Sequence, residues 1–248
     1  MKKLLSIIML MLVLWSSVAC GGNSKKPIIN DSLDVDKTNN DMSNDEIYTN
    51  KVYYVGDEIP EGQYVVKCTK SNYGMDIIIF ESEADYNQWQ GAEKYTNGEY
   101  KRAEELYAWA SFYVYEDECV YFSVKSGNII VLDKGMCEFN KFNVKESNSL
   151  YSGVYIVGKD IDAGNININC PNEGIKVTIF ENRNKYSDYH KSNRYTVGEE
   201  SDALANNSLS SNYIYTGKSY SIRLEEGMIL LINDGVGEYS IDKGPVIN

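Results

Sequence analysis

The chain contains the same folding unit twice, and this duplication constrains its fold more than any other feature. The stretch VYYVGDEIPEGQYVVKC at residues 52–68 returns as VYIVGKDIDAGNININC at residues 154–170, with seven of 17 positions identical. Further along, residues 74–81 correspond to residues 174–181, so the offset changes from 102 to 100. A period near 100 residues indicates two copies of a domain-sized unit, because solenoid repeats are only about 20–50 residues long.

Within each copy the sequence pattern predicts β-strands. Asn and apolar residues alternate strictly over residues 165–170, which is typical of a half-buried strand whose Ile and Cys side chains face inward. By the repeat, Tyr64, Val66 and Cys68 are expected to face inward too.

The middle and the end of the first copy carry further signals. The segments 83–89 and 102–109 have helical patterns and lie in its longest connection. A Ser-Gly-Asn turn signal at residues 126–128 stands between two apolar runs, residues 120–125 and 129–132. These runs are predicted to pair as a closing hairpin.

We therefore predict an all-β fold with short helical excursions, built as two tandem, small β-sandwich or jelly-roll-like domains. The domains are expected at residues 52–148 and 154–248, each large enough for its own core. Ahead of them we expect a signal peptide at residues 1–19, and a lipidated cysteine with a flexible tether at residues 20–50.

A resemblance to known proteins rests on the repeated motif. The phrase G-[DK]-[DE]-I-x-x-G-x-[YI], which begins at Gly56 and again at Gly158, resembles a repeat of uncharacterised bacterial lipoproteins and secreted proteins. The resemblance covers both copies and includes the G-x-I-x-x-[LI] pattern that begins at Gly127 and Gly227. It implies a structural motif and transfers no catalytic or binding residue.

The N-terminus has the pattern of an export signal with a lipidation site. Two lysines precede an apolar run at residues 4–15, which is too short to span a membrane but typical of a signal-peptide core. Residues 16–20, SSVAC, resemble the lipobox of bacterial lipoproteins, although Ser17 stands where Leu is preferred. We therefore expect Cys20 to carry the lipid; the alternative is an ordinary signal peptide cleaved near Ala19.

The rest of the chain is acidic and begins with a polar segment. The chain from Cys20 onward contains 22 of the 24 basic residues and all 36 acidic residues. This balance argues against nucleic-acid binding and against lying flat on an anionic membrane. Residues 21–50 are rich in Asn, Asp, Ser and Lys, and predict a flexible tether that spans roughly 30 Å. A loose calcium-loop pattern at residues 34–45 lacks the usual Gly and Glu, so no metal or other cofactor is expected.

Four cysteines lie beyond the predicted lipidation site. Cys119 and Cys137 are both absent from the second copy, which is what a bonded pair would show. We therefore predict a Cys119–Cys137 disulfide across the closing hairpin. Cys68 and Cys170 occupy equivalent inward positions and are predicted to be buried free thiols, with a bridge between them as the alternative. No CxxC spacing indicates a zinc site.

No pattern of catalytic residues stands out. The only histidine, His190, has no counterpart in the first copy and is expected to lie in an exposed loop. Nucleophile-elbow, zinc-protease and phosphate-loop motifs are absent from the sequence. Acidic residues of the turns are expected to be solvated, namely Asp57, Glu58, Glu61, Asp160 and Asp162. The sequence therefore predicts a protein that is not an enzyme.

Aromatic residues offer the best candidates for a binding surface. The chain has 21 Tyr and three Trp, whose side chains combine rigid contact area with a polar tip. Aromatic positions that occur in both copies are expected in the core, whereas Trp109, Tyr100 and Trp89 are candidate ligand-binding residues. The alternative is that these aromatics pack the helical segments against the sheet.

Together these features predict a lipid-anchored, extracytoplasmic protein at the outer face of the bacterial cytoplasmic membrane. It is expected to bind a glycan, another envelope polymer or a protein without catalysing a reaction, and not to bind nucleic acid. The alternatives are a structural or inhibitory partner of another envelope protein and, less favoured, an envelope hydrolase.

Overall fold

The computed structural model describes residues 51–92, 95–96, 99–100, 106–192 and 197–242. Across those residues, no helix is long and apolar enough to cross a membrane. The predicted signal peptide, the lipidation site, the tether and the calcium-like pattern all lie outside the described residues.

The elements of the first repeat, in chain order, are β1 (Lys51–Tyr54), β2 (Gly62–Phe80), α1 (Glu83–Gly91), β3 (Tyr95–Thr96), β4 (Glu99–Tyr100), β5 (Ala110–Val114), β6 (Cys119–Val124) and β7 (Ile129–Lys141). A short helix, α2 (Val144–Ser147), leads into the second repeat. The second repeat contains β8 (Ser149–Ile156), β9 (Gly164–Cys170), β10 (Ile175–Phe180), α3 (Arg183–Lys191), α4 (Val197–Asn207), β11 (Ser208–Ile214), β12 (Lys218–Leu224) and β13 (Ile229–Asp242).

The two repeats share one pairing scheme. Strand β7 pairs with β1 and β2 in the first repeat, as β13 pairs with β8, β9 and β10 in the second. The registers agree as well, since Tyr54 is paired with Ile129 in the first repeat and the equivalent Ile156 is paired with Ile229 in the second. The two copies therefore fold alike down to the strand register, with β9 and β10 together matching β2.

Strand β2 bends so that it contributes to both faces of the first repeat. Its 19 residues would span roughly 60 Å if straight, but irregular pairing with β7 over residues 68–76 bends it. Its two ends meet at one turn, where the Ser126 backbone N–H donates to Glu61 and the Asn128 amide donates to the Glu81 carbonyl. The sheet is thereby folded over itself.

The two main apolar cores follow the two repeats, although the core of the second repeat also includes Val65 and Tyr121 of the first. Tyr64, Val66 and Cys68 are buried in the first core, and the Ile and Cys side chains of β9 are buried in the second. The inward-facing residues predicted from the alternating pattern are thus confirmed.

The predicted closing hairpin is wrong. Residues 125–128 do form a turn, with the Asn128 N–H donating to the Lys125 carbonyl. However, β6 and β7 do not pair with each other across it, because β2 lies between them and pairs with both. The turn signal identified a turn correctly, but a turn does not determine which strand each arm pairs with.

Of the two predicted helical excursions of the first repeat, the first is confirmed and the second is found only in part. Helix α1 covers the predicted segment 83–89, and its N-terminus is capped by Ser82, whose hydroxyl accepts from the Asp85 N–H. Helix α3 has the same cap, with Asn182 accepting from the Lys185 N–H. Of the predicted helix over 102–109, the described part is helical only at residues 106–107.

The repeats are joined in a single 11-stranded sheet. The junction is a parallel pairing of β6 with β8, in which Val120 faces Ser152 and Tyr121 faces Gly153. At this junction the rings of Tyr121 and Tyr155 stack with centroids 4.2 Å apart and an interplanar angle of 1°. The all-β prediction with short helices is confirmed, whereas the division into two sandwich-like domains stays a prediction.

Candidate functional site

The same tight turn follows β5 and β11. In the first repeat the Glu118 N–H donates to the Tyr115 carbonyl, and the Asp117 N–H donates back to the Cys68 carbonyl at 2.9 Å. In the second repeat the Lys218 and Gly217 N–H groups make the equivalent bonds to Tyr215 and Cys170. Asp117 and Gly217 both adopt left-handed backbone angles, with φ of 69° and 72°. The turn therefore fixes the end of each strand in the same position against the sheet.

Each of these turns presents a pair of exposed tyrosines. Tyr113 and Tyr115 meet edge to face with ring centroids 5.2 Å apart, and Tyr213 and Tyr215 do so at 5.1 Å. Alternate residues of a strand share a face, so the intervening Val114 points into the core while both rings point outward. Roughly half or more of each tyrosine is exposed to solvent, up to 69% for Tyr215.

A glycine supports one ring of each pair. A Cβ placed on Gly74 would lie 2.4 Å from the Tyr113 ring, and one on Gly174 would lie 2.1 Å from the Tyr213 hydroxyl. Such distances exclude any side chain without a shift of the ring. The Tyr113 hydroxyl also donates a hydrogen bond to the Tyr73 carbonyl. The ring is therefore held against the backbone, while 47% of Tyr113 remains exposed to solvent.

The tyrosine pairs are retained in both copies although their surroundings have changed. Between residues 110–120 and 210–220 only three of 11 positions are identical, and two of these are the paired tyrosines. The sequence reasoning missed these residues because it assigned retained aromatics to the core. The repeated Tyr-x-Tyr directly before a turn was the signal that could have found them.

The two pairs differ in their electrostatic surroundings. The first lies beside the acidic turn residues Glu116, Asp117 and Glu118, although the Asp117 carboxylate is paired with the Lys67 ammonium at 2.7 Å. The second turn instead reads Thr-Gly-Lys at residues 216–218. The two pairs therefore offer ligands the same aromatic surface, but the charges of the neighbouring residues differ between them.

Two of the aromatic residues proposed from sequence are used in packing. Trp109 meets the Tyr186 ring at 4.9 Å and lies under the Arg183 guanidinium at 3.8 Å, so it joins the two repeats. Trp89 packs on Phe80 at 5.3 Å. Tyr100 lies in β4, but its side chain is outside the described residues. The assignment of these three to ligand binding stays a prediction.

The expected core aromatics of the helical segments are indeed buried. Tyr86 lies in α1, and its counterpart Tyr186 lies in α3 together with Tyr189. All three are buried against the sheet, where they contact Phe80 or Phe180.

The prediction that His190 lies in an exposed loop is wrong. His190 lies near the end of α3 and is only 2% exposed, with its Nε2 3.1 Å from the Ser111 hydroxyl of the first repeat. A serine beside a histidine is also the first element of an activated nucleophile. Here, however, both residues lie in the packed contact between repeats that also holds Trp109, so the geometry favours a structural role.

The predicted Cys119–Cys137 disulfide is wrong. All four cysteines of the described residues are free thiols. Cys119 of β6 is paired with Lys67 at one edge of β2, and Cys137 of β7 is paired with Cys68 at the other edge. Because β2 separates them, the two cysteines cannot bond without disrupting the sheet. Burial raises the pKa of Cys137 to about 12 and also raises the pKa of Cys68.

Comparison with known proteins adds no further assignment. No family model matches the chain, and no curated protein or solved structure shows significant similarity to it. The internal duplication itself shows which surface residues persist in two copies of one fold.

Proposed function

We propose that the chain is a non-enzymatic binding protein of the bacterial cell envelope, anchored by a lipid on Cys20. Its ligand is proposed to be an envelope glycan with a repeating structure, held by the two tyrosine pairs. The observation that carries this proposal is the recurrence of one exposed, glycine-supported aromatic pair in both repeats.

The chemistry of the pairs suits a sugar polymer. A tyrosine ring offers a flat apolar face together with a hydroxyl that can hydrogen-bond. A sugar ring offers apolar C–H groups on its faces and hydroxyls around its rim, so one tyrosine can satisfy both kinds of contact. A repeating polymer can engage two equivalent sites at once, which raises its effective concentration at the second site. The tether would place this surface roughly 30 Å from the membrane.

The proposal can be tested by cosedimentation of the full chain with purified cell-wall glycan. Replacing Tyr113 and Tyr115 by serine, or replacing Tyr213 and Tyr215, should weaken binding about tenfold, which corresponds to about 1.4 kcal/mol. Replacing all four should abolish it. Tyr54→Ser is the matched control, because Tyr54 is also an exposed tyrosine but belongs to neither pair.

Two results would contradict the proposal. One is binding by the fourfold variant with undiminished affinity, provided that its circular dichroism spectrum matches the wild type. The other is an equal loss of binding in the Tyr54→Ser control, since this would indicate a general surface effect.

A second candidate function is docking of a partner protein at the open strand edges. Within the described residues, β5 pairs only with β2 and β11 only with β10, so each has one edge without a strand partner. An extended segment of a partner can add to such an edge by backbone hydrogen bonds. Binding to an envelope fraction that protease treatment of that fraction abolishes, and that free glycan does not compete, would favour this candidate.

A further inference from the structure

Cys68 and Cys137 stand directly opposite each other on neighbouring antiparallel strands, β2 and β7. Residues opposite each other in an antiparallel pair point to the same face of the sheet. Both cysteines accordingly pack in the same apolar cluster, Cys68 fully buried and Cys137 at its margin. The two thiols therefore share one face and one environment.

The backbone hydrogen bonds show which kind of cross-strand position this is. The Cys68 N–H donates to the Glu118 carbonyl at 3.0 Å, and the Cys68 carbonyl accepts from the Asp117 N–H at 2.9 Å. Both backbone groups of Cys68 are thus directed away from β7, which makes Cys68 and Cys137 a non-hydrogen-bonded pair. Opposed Cα atoms of such pairs are about 4.5 Å apart, which lies within the range of about 4.4–6.8 Å found in disulfides.

The second repeat provides an internal comparison. Cys170 occupies the position of Cys68, but glycine stands at 237, the position equivalent to Cys137 and adjacent to the paired residues Glu238 and Asn169. A Cβ on Gly237 would lie 2.8 Å from the end of the Ile175 side chain, so a side chain at 237 would require Ile175 to shift. Only the first repeat has a cysteine at both positions, Cys68 and Cys137.

We propose that Cys68 and Cys137 form a disulfide bond between β2 and β7 once the chain has left the cytoplasm. This rests on the extracytoplasmic location in the proposed function. The oxidant is a disulfide, either that of a thiol oxidoreductase or that of glutathione disulfide. One cysteine thiolate attacks it and forms a mixed disulfide, and the second cysteine then displaces the remaining thiol. Two protein thiols are oxidised and one external disulfide is reduced to two thiols, so electrons and protons balance.

The timing of this reaction follows from the buried environment. The raised pKa of Cys137 leaves little thiolate in the folded protein, and thiolate is the attacking species. The bond is therefore expected to form while β7 docks on β2, before the core closes. Refolding the full chain with glutathione disulfide should give the bond quickly, whereas the folded, reduced chain should form it much more slowly.

Peptide mapping tests the pairing directly. The full chain is exported from a bacterial host, alkylated at lysis to trap free thiols and digested with trypsin without reduction. Cleavage after Lys67, Lys70 and Lys134 places Cys68 and Cys137 on separate peptides, which the bond would hold together. The expected result is this crosslinked pair, with Cys119 alkylated.

A thermal measurement separates the bond from mere burial of a thiol. Cys170→Ala is the matched control for Cys68→Ala, because both remove a buried thiol from the same position of the fold. Without reductant, Cys68→Ala and Cys137→Ala should each lower Tm by about 10 °C more than Cys170→Ala does, and the double variant should lose no more than either. With reductant, the excess loss should vanish.

Two results would overturn the proposed Cys68–Cys137 disulfide. Alkylation of Cys68 or Cys137 in the exported chain, followed by failure to bond on refolding with glutathione disulfide, would do so. A crosslink of either residue to Cys119 or Cys170 would do so as well. Bonding on refolding without bonding in the exported chain would instead contradict the proposed location, so the two proposals can fail separately.

Discussion

Asp160 shows how one residue can change its role between two copies of a turn. In the first repeat the equivalent Glu58 accepts a backbone hydrogen bond within its own turn and remains exposed. Asp160 makes the same local bond, from the Ile156 N–H at 2.8 Å, but is completely buried. It also accepts from the Ser123 hydroxyl at 3.1 Å and from the Gln63 amide at 3.5 Å, both in the first repeat. Its carboxylate therefore links the two repeats.

Burial raises the pKa of Asp160, while the Ile156 N–H and the nearby Lys159 ammonium partly oppose this rise. A carboxyl whose pKa is higher in the folded than in the unfolded state binds its proton more tightly when folded. Its contribution to stability is therefore greatest below the unfolded pKa and declines as pH rises through the folded pKa. Asparagine at this position cannot ionise and should lack that decline.

We expect the Tm difference between the wild type and Asp160→Asn to shift in favour of the variant as pH rises from 4 to 8. Differential scanning calorimetry across that range measures it. Glu58→Gln, which makes the same replacement at the equivalent turn position of the first repeat, is the matched control and is scanned over the same range. Parallel profiles for the wild type and Asp160→Asn would show that folding does not change how tightly the Asp160 carboxyl binds its proton.

At this scale the sequence predicts what depends on neighbours along the chain. Alternation identified Tyr64 and Val66 as core residues, because side-chain direction in a strand follows from position alone. Asp160 was expected to be solvated and is buried, because its burial comes from β2 and β6 of the other repeat. Local sequence carries no signal of contacts made between residues 37 and 97 positions apart.

The junction between β6 and β8 depends on a glycine. Gly153 has a φ of 152°, and a Cβ there would lie 2.1 Å from the Tyr121 carbonyl oxygen. The equivalent residue at the edge of the first repeat is Lys51, whose strand β1 pairs only with β7 among the described residues. A charged side chain such as that of lysine at a sheet edge disfavours the addition of a further strand. The glycine thus permits parallel pairing inside the chain, and the lysine opposes it at the outer edge.

We expect Gly153→Ala to lower the free energy of unfolding by more than Gly164→Ala does. Gly164 has a similar φ of 143°, but a Cβ there would meet only the Ile241 side chain at 3.7 Å. Gly164→Ala should therefore carry the backbone strain alone, about 1–3 kcal/mol. Gly153→Ala should lose roughly a further 1–3 kcal/mol through the close approach of β6. Urea denaturation measures both, and equal losses would show that the junction tolerates a side chain.

The elements themselves were predictable in different degrees. Helix α1 was recognisable from its local pattern and its serine cap. The pairing of β6 and β7 with β2, and not with each other, was not predictable, because it depends on β2 bending far enough to bring its two ends to the same turn. A strand of this length that folds over itself makes contacts between distant residues, and these are not encoded in the turn signal at residues 126–128.

At the scale of the molecule, the two tyrosine pairs are mounted on one continuous sheet. The parallel strands, the Tyr121–Tyr155 stack, the buried Asp160 and the contact of Trp109 with Arg183 all connect the repeats. Connections of this kind limit rotation of one repeat against the other, so the loss of freedom on binding a polymer at both pairs is reduced. The duplication was readable in the sequence, but this joining was not, because most of the residues that make it differ between the copies.

Two linked sites should bind a polymer more tightly than a short fragment of it. We expect the wild type to bind the polymer about 10–100-fold more tightly than an oligosaccharide that fills one site. Replacing Tyr213 and Tyr215 by serine should remove most of this gain and halve the number of oligosaccharides bound, while the affinity of the remaining site stays unchanged. Isothermal titration calorimetry with both ligands measures affinity and stoichiometry together. If the variant lost the same factor for both ligands at unchanged stoichiometry, the pairs would form one site and not two.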